Sequence, residues 1–120
     1  MSSILAVDDS ASMRKMVSFT LEQAGFEVVQ ASDGQEALRV AGGKAVDLVL
    51  TDVHMPGMDG IELIKALRAL PDYRHTPILT LTTESSAEKK AQAKTAGATG
   101  WIVKPFTPDK LIGTIKMLLG

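Results

Sequence analysis

The stretch Leu-Val-Leu-Thr-Asp-Val-His-Met-Pro-Gly, residues 48–57, carries the most informative feature of this 120-residue chain. Its apolar run predicts a strand buried on both faces of a sheet. The run leads directly into Asp52, and a Met-Pro-Gly turn follows after two further residues. A charge at the end of a core strand contributes nothing to packing and is costly to bury. The position of Asp52 therefore indicates a functional role, in binding or in a reaction, rather than a role in packing.

Three other apolar runs also end at residues capable of chemistry. With the polar residues that follow them, they are 4–7 before Asp8 and Asp9, 78–81 before Thr82, and 102–103 before Lys104. The carboxyl ends of parallel strands meet at one edge of a sheet, where ligands bind in such sheets. Carboxylates, a hydroxyl and an ammonium at that edge predict a cation site that contains a nucleophile.

Strand and helix patterns alternate five times along the chain. This alternation predicts an α/β fold with right-handed crossovers, a parallel sheet and helices on both faces. The strands are predicted at about residues 4–8, 28–29, 46–52, 78–81 and 101–104. The predicted N-caps of the last four helices are Asp33, Asp59, Ser85 or Ser86, and Thr107. The predicted apolar faces of the first and last helices are Met13, Met16, Val17, Thr20, Leu21 and Ala24, and Leu111, Ile112, Ile115 and Leu118.

The fourth predicted helix differs from the others in its apolar residues. Between residues 87 and 96 these are all alanine, mixed with Lys89, Lys90 and Lys94. Alanine favours the helical conformation but buries little surface. We expect this helix to pack loosely against the sheet, as mobile and partner-binding elements do, although an ordinary solvated helix has the same pattern.

Composition argues against several classes of function. Thirteen basic and fourteen acidic residues give a net charge of -1, so binding of nucleic acid by bulk electrostatics is not expected. The chain has no cysteine, and its first residues show no basic segment followed by an apolar stretch. No apolar run approaches the ~20 residues needed to span a bilayer. We therefore expect one cytoplasmic domain over residues 1–120, with no membrane segment and no effector domain.

Asp8, Asp9 and Asp52 come within one pocket if the first and third strands are neighbours. At an effective dielectric near 20, two unit charges ~4 Å apart cost about 4 kcal/mol, so such a cluster needs a cation or a proton. Oxygen-only ligands suit Mg²⁺, whereas Ca²⁺ takes more ligands. Zn²⁺ prefers cysteine or histidine, and only His54 and His75 are present. The predicted cofactor is Mg²⁺.

Beside a bound cation, Asp52 can act as a nucleophile. A carboxylate can attack phosphorus and form an acyl phosphate, and positioned cations and donors stabilise the charge that develops. Lys104 can supply an ammonium and Thr82 a hydroxyl for this purpose. Each residue alone has an ordinary explanation as a cap or a surface side chain, whereas the joint pattern favours phosphoryl chemistry.

Together these residues resemble the signature of a response-regulator receiver domain, most closely the single-domain chemotaxis, CheY-like type. The resemblance covers the entire chain. It depends on Asp8-Asp9, Asp52 with residues 55–60, Thr82 and Lys104-Pro105-Phe106, and residues 82–86 and 97–106 carry the chemotaxis likeness. It implies a flavodoxin-like (βα)5 three-layer sandwich with a five-stranded parallel sheet in the order 2-1-3-4-5. This family is a standard example of that order, so the order is carried over from the resemblance.

The resemblance also implies roles at the site. Asp52 resembles the phosphoacceptor, which takes its phosphoryl group from a phosphohistidine on a CheA-like sensor histidine kinase. Asp9 and Asp52 resemble direct Mg²⁺ ligands, and Asp8 resembles a ligand acting largely through water. The backbone carbonyl of His54 matches the third protein ligand, and Lys104 matches the lysine that contacts the phosphate.

A switch and an output are implied as well. Thr82 resembles the hydroxyl that is drawn toward the phosphoryl group, Trp101 stands where the family has its rotating aromatic, and the bond before Pro105 is expected to be cis. The protein would be a monomeric signalling switch rather than an enzyme, with self-phosphorylation and autodephosphorylation as its only chemistry. Its output would be binding to a downstream protein, such as the flagellar motor switch or another chemotaxis protein.

Three departures from the family pattern leave alternatives open. Trp101 is larger than the usual tyrosine or phenylalanine and could instead be a fixed side chain. Thr83 stands where a smaller residue is frequent, and the side chain of His54 can influence attack of water on the acyl phosphate. A small-molecule phosphohydrolase would usually carry a second aspartate at position 54. A flavin carrier would need hydroxyls and glycines, where residues 8–12 have two acids.

Overall fold

The computed structural model describes residues 1–120 as five strands, five α-helices and one short 3-10 turn at Pro71–Tyr73. The strands are β1 Ser3–Val7, β2 Glu27–Ala31, β3 Leu48–Thr51, β4 Ile78–Thr82 and β5 Gly100–Val103. The helices are α1 Ala11–Gln23, α2 Gly34–Gly43, α3 Gly60–Arg68, α4 Ala87–Ala96 and α5 Pro108–Leu119. The predicted alternation of five strands and five helices is confirmed.

All five strands are parallel and lie in the order β2-β1-β3-β4-β5. This is the order that the resemblance implied. β2 is longer than the predicted residues 28–29, because its pairing with β1 extends from Glu27 to Ala31 although only Ala31 is buried. β3 begins at Leu48 rather than at residue 46, and Asp52 lies just beyond its end.

The core has two parts, one on each face of the sheet. A cluster of 16 buried residues joins the sheet to α2, α3 and α4, and a cluster of 11 joins it to α1 and α5. Alternate residues of β1 supply the two clusters, Leu5 the first and Ala6 the second, as the strand period of two requires. The molecule is therefore a three-layer sandwich, as predicted.

The predicted inward faces of α1 and α5 need correction at two positions, Met16 and Ile112. Met16 is 48% exposed, because Val17 and Leu21 set the buried face and Met16 lies about 100° around the helix from Val17. In α5, Leu111 and Ile115 are fully buried. Leu118 is half-buried and packs against the same core cluster, as predicted, whereas the half-buried Ile112 belongs to neither cluster.

The prediction that α4 packs loosely is confirmed, since Ala93 is its one buried residue. Its N-cap is Ser86 rather than Ser85, with the Ser86 hydroxyl accepting a hydrogen bond from Lys89 N at 3.2 Å. It ends at Gly97, whose φ of 118° lies in the left-handed region that favours glycine. No helix of the structure is both long and apolar enough to cross a lipid bilayer.

Candidate functional site

The sheet brings the three predicted carboxylates together. Val7 pairs with Thr51 across β1 and β3, so the residues that follow them, Asp8 and Asp52, leave the sheet side by side. One carboxylate oxygen each from Asp8, Asp9 and Asp52 lies within 4.8 Å of the others. Asp8 and Asp52 are only 6% and 9% exposed, whereas Asp9 is exposed. The predicted acidic cluster is thus present and opens to solvent on the side of Asp9.

Lys104 reaches the cluster from the end of β5. Its backbone N–H donates to Thr82 O at 2.8 Å, and the Lys104–Pro105 bond is cis, as the resemblance implied. Its Nζ lies 2.8 Å from Asp8 Oδ2 and 3.1 Å from Asp52 Oδ2. Burial alone lowers the pKa of Lys104, but hydrogen bonds and charge from the two carboxylates outweigh it and raise that pKa. The side chain is therefore an ammonium.

The charges of the cluster leave a role for a cation. Lys104 compensates one of the three carboxylates, so two negative charges remain within a few ångströms. The donors are all hard oxygens. His54, whose backbone carbonyl accepts no hydrogen bond, lines a pocket together with Asp9. This donor set fits a small divalent cation such as Mg²⁺ and does not fit a metal that prefers nitrogen or sulfur.

Backbone donors orient the side chain of Asp52. Its Oδ1 accepts from Val53 N at 2.7 Å and weakly from His54 N at 3.4 Å. Oδ2 remains for Lys104. Behind it, a Cβ built on Gly60 would lie 2.1 Å from Asp52 O, so only glycine fits there. The sequence gives no sign of this contact, because it is made to a backbone atom eight positions earlier.

Thr82 is fully buried at the end of β4, where its Oγ1 accepts a hydrogen bond from Glu84 N at 3.1 Å. The hydroxyl oxygen of the predicted switch residue therefore already accepts a hydrogen bond. A move toward Asp52 would release the backbone of Glu84.

Glu84 is a site residue that sequence analysis missed. Its Oε1 accepts from His54 Nε2 at 2.7 Å, and its Oε2 accepts from Ser86 N at 3.0 Å. The hydrogen bond from Ser86 N, followed by that from His54, lowers the pKa of Glu84 to about 2. Because an ionised carboxylate can only accept, Nε2 of His54 carries the hydrogen. The one sign of Glu84 in the sequence is its position, as an acidic residue two positions after the predicted switch threonine.

Trp101 is half-buried on β5 and packs against the cluster shared by α2, α3 and α4. Its indole Nε1–H donates to Glu84 O at 3.1 Å. A phenylalanine ring has no donor for this bond. Glu84 therefore contacts Thr82, His54, Ser86 and Trp101 at once.

Two further residues complete the comparison with sequence. His75, the second histidine of the chain, is exposed. Arg14 was not predicted, yet its Nη1 donates to Asp8 O at 2.7 Å and so adds a cation behind the cluster. Sequence offered no signal for it, because the contact joins a helix side chain to a backbone carbonyl.

Comparison with known proteins gives a consistent result. Residues 4–116 match the model of the response regulator receiver domain. The chain belongs to that family. It is similar to the chemotaxis protein CheY-3 of Vibrio cholerae, with 45% identity over 109 residues, 90% of this chain and 84% of that protein.

Solved structures of receiver domains agree in fold. The chemotaxis protein CheY4 of Vibrio cholerae superposes with a TM-score of 0.95 at 52% identity, covering 98% of each chain. A response regulator of Burkholderia multivorans gives 0.82 at 52% identity, covering 100% of this chain and 96% of that one. As a receiver domain, the chain is a phosphorylation-controlled signalling module of a two-component system, of the CheY-like type, and it takes its phosphoryl group from a histidine kinase.

Proposed function

We propose that Asp52 is the phosphoacceptor of this receiver domain and that Asp8, Asp9, Asp52 and the carbonyl of His54 hold Mg²⁺ during transfer. The observation that carries the proposal is the double ion pair of Lys104 with Asp8 and Asp52, which aims an ammonium at Oδ2 of Asp52. That oxygen has no backbone donor, whereas Oδ1 has two. Oδ2 is therefore the oxygen open to an incoming phosphorus.

In the proposed step, Oδ2 of Asp52 attacks the phosphorus of a phosphohistidine. A P–O bond forms as the P–N bond breaks, and the electron pair of the P–N bond stays on the imidazole nitrogen, which takes up a proton. Lys104 donates to the phosphoryl oxygens as their charge spreads, and the backbone N–H groups of Val53 and His54 keep the carboxylate oriented. When bound, the ion supplies the remaining counter-charge. Hydrolysis is the only other chemistry: water attacks the phosphorus of the acyl phosphate, the P–O bond to Asp52 breaks, and inorganic phosphate leaves. The protein would therefore be a phosphoacceptor rather than an enzyme acting on a separate substrate.

The phosphoryl group would attract the Thr82 hydroxyl and take it away from Glu84 N. Glu84 would then move, together with the Trp101 hydrogen bond to its carbonyl and the Ser86 cap of α4. The surface formed by α4, β5 and α5 would change shape as a two-state element. A groove of about 530 Å³ between α4 and β5, lined by alanines, Trp101, Lys90 and Lys94, lies on this surface.

The partners follow from this chemistry and from the chemotaxis relatives. We propose a CheA-like sensor histidine kinase as phosphodonor and a downstream chemotaxis protein, such as the flagellar motor switch, as target. The protein would act in the cytoplasm as a monomer, and its output would be the binding event itself.

The proposal is tested by phosphotransfer from a panel of cognate histidine kinases to the wild-type protein, to Asp52→Asn and to Asp72→Asn. Asp72 is exposed in the 3-10 turn, away from the acidic cluster, so Asp72→Asn is a matched control. We expect Mg²⁺-dependent, base-labile labelling of the wild type and the control, and none of Asp52→Asn. Labelling of Asp52→Asn would refute the proposal. The kinase that transfers fastest would identify the partner.

A further inference from the structure

The guanidinium of Arg68, at the last position of α3, has a hydrogen-bond partner for each of its five N–H donors. Nε and Nη2 both donate to Gly97 O, at 3.1 and 2.8 Å. Nη1 donates to Tyr73 O at 2.6 Å and to Thr76 O at 2.7 Å. The second N–H of Nη2 reaches Thr99 Oγ1 at 3.4 Å. An arginine offers five donors in a planar fork, so no N–H group of this guanidinium is left without an acceptor.

These bonds join the C-terminal end of α4 to α3 and to the segment before β4. Thr99 also accepts from Ile78 N at 3.0 Å, and its own N–H donates to Ile78 O at 2.7 Å, so it is tied to the start of β4. The contact with Gly97 is close, because a Cβ built there would lie 2.8 Å from Arg68 Cγ. Burial of the guanidinium lowers the pKa of Arg68, although an arginine remains charged. The charge faces helix-terminal carbonyls, where a cation is favourable.

The N-terminal end of α4 is held quite differently. From Ser85 to Gln92, every hydrogen bond stays within residues 84–96. Packing has the same asymmetry. Ala87 and Ala91 are exposed, whereas Ala93 is fully buried and Ala96 and Ala98 pack against the core. Side-chain hydrogen bonds from Arg68 anchor one end of the helix, whereas the other end has no hydrogen bond to a segment outside residues 84–96.

We propose that Arg68 makes the C-terminal end of α4 a fixed pivot, so that switching swings the helix at its Ser86 end. The inference deepens the proposed function, because the swing begins when Thr82 releases Glu84 N. Ser86 N is bonded to the Glu84 carboxylate, so displacement of Glu84 acts on the first turn of α4. Because the C-terminal end of α4 stays in place, this displacement rotates the helix about that end instead of shifting the whole helix.

The pivot determines which part of the groove between α4 and β5 changes. Thr99 and Gly100 line the groove next to the anchor, whereas Ala87 and Lys90 line it next to the free end. The opening at Ala87 and Lys90 would therefore vary with phosphorylation while the Thr99 end stays constant. A partner that contacts the free end would read the phosphorylation state.

The first test needs no phosphorylation and so stands apart from the proposed function. Amide hydrogen exchange is compared in the wild type, Arg68→Gln, Arg68→Lys and the control Arg39→Gln, whose side chain is exposed and has only a helix ion pair with Glu36. We expect about tenfold faster exchange at Gly97 and Ala98 in both Arg68 variants, because neither glutamine nor lysine has the planar pair of donors that bonds Gly97 O twice. Exchange in β1 should match the wild type. Unchanged exchange at Gly97 and Ala98, or equal acceleration in β1, would overturn the proposal.

The second test measures the swing itself. The chain has no cysteine, so spin labels can be placed at Glu22→Cys with either Glu88→Cys or Thr95→Cys, all exposed positions. On addition of Mg²⁺ and beryllofluoride, we expect the 22–88 distance to shift by about 2 Å and the 22–95 distance to change far less. In Arg68→Gln, the 22–95 distance should shift or broaden as well. Equal shifts at both ends of the wild-type helix would contradict the pivot. Phosphorylation of the Asp52→Asn variant would contradict the proposed function instead.

Discussion

The ammonium of Lys104 lies 2.8 Å from Oδ2 of Asp8, although the two residues are 96 positions apart in the chain. The ion pair exists because β1 and β5 end at the same edge of a parallel sheet. With both side chains about nine-tenths buried, the pair is part of the folded structure as well as of the site.

Removal of this cation should make stability depend on Mg²⁺. Lys104→Met removes the ammonium that pairs with Asp8 and Asp52, and breaking a buried pair costs about 3 kcal/mol. We expect the free energy of unfolding in urea to fall by about that amount without metal and to recover partly when Mg²⁺ is added. Lys44→Met is the control, because it removes only an exposed ion pair with Glu27 and should cost less than ~1 kcal/mol. A loss that Mg²⁺ does not reduce would contradict the electrostatic explanation.

Gly60 should be the glycine that tolerates alanine least. A Cβ at this position would lie 2.1 Å from Asp52 O and 2.8 Å from Val53 Cα, so the backbone of the phosphoacceptor must shift. We expect Gly60→Ala to cost about 2 kcal/mol or more and to slow phosphotransfer. Gly113→Ala, within α5 with nothing within 4 Å, should stabilise the fold by about 0.5–1 kcal/mol. Denaturation of both variants under the same conditions measures the change in the free energy of unfolding that each alanine causes. Equal changes in the two variants would refute the close contact at Gly60.

Tyr73 should make the fold sensitive to alkaline pH. Its buried hydroxyl donates to Ala41 O at 2.9 Å and Lys44 O at 3.1 Å, and burial raises its pKa above the usual value. The folded state therefore holds the phenolic proton more tightly than the unfolded chain. The resulting stabilisation is complete below the unfolded pKa of about 10 and is lost as pH rises through the higher folded value.

The comparison with Tyr73→Phe isolates this contribution. We expect the variant to be about 1–2 kcal/mol less stable than the wild type near neutral pH, because the hydrogen bonds to buried carbonyls are lost. The difference should shrink as pH rises above about 10. Urea denaturation of both proteins over this range measures it, and a difference that stays constant would show that the tyrosine does not titrate in the fold.

Trp101 should report the switch by its fluorescence. Its indole N–H is bonded to Glu84 O, and Glu84 N is bonded to Thr82, so any move of Thr82 disturbs the indole. We expect the emission of this single tryptophan to change when beryllofluoride and Mg²⁺ are added. Asp52→Asn should show no change under the same conditions. Unchanged emission of the wild type, with phosphorylation established separately, would exclude Trp101 from the switch.

Sequence predicted the acidic cluster and Lys104 because each lies at the end of an apolar run, and parallel strands place such ends together. Met16 was placed on the wrong side of α1, since an amphipathic pattern leaves the direction of the buried face uncertain by one residue. The length of β2 was underestimated, because its residues face partly to solvent and carry a weak pattern.

The contacts of Arg14, Arg68 and Glu84 were not predictable in the same way. Arg14 and Arg68 bond mainly to backbone carbonyls in other segments. Glu84 combines main-chain bonds to Thr82 and Trp101 with side-chain bonds to His54 and to the backbone of Ser86. Backbone atoms are the same in every residue, so a sequence gives no sign of which of them a side chain will meet. Only the folded geometry assigns these partners.

The most direct measurement locates the phosphoryl group. The protein is phosphorylated by its kinase in Mg²⁺, the acyl phosphate is reduced with borohydride, and the modified residue is identified by peptide mass spectrometry. Modification at Asp52 alone, abolished by chelation of the metal, is the predicted result. Modification at another residue, or undiminished labelling after chelation, would contradict the assignment of Asp52 as a metal-dependent phosphoacceptor.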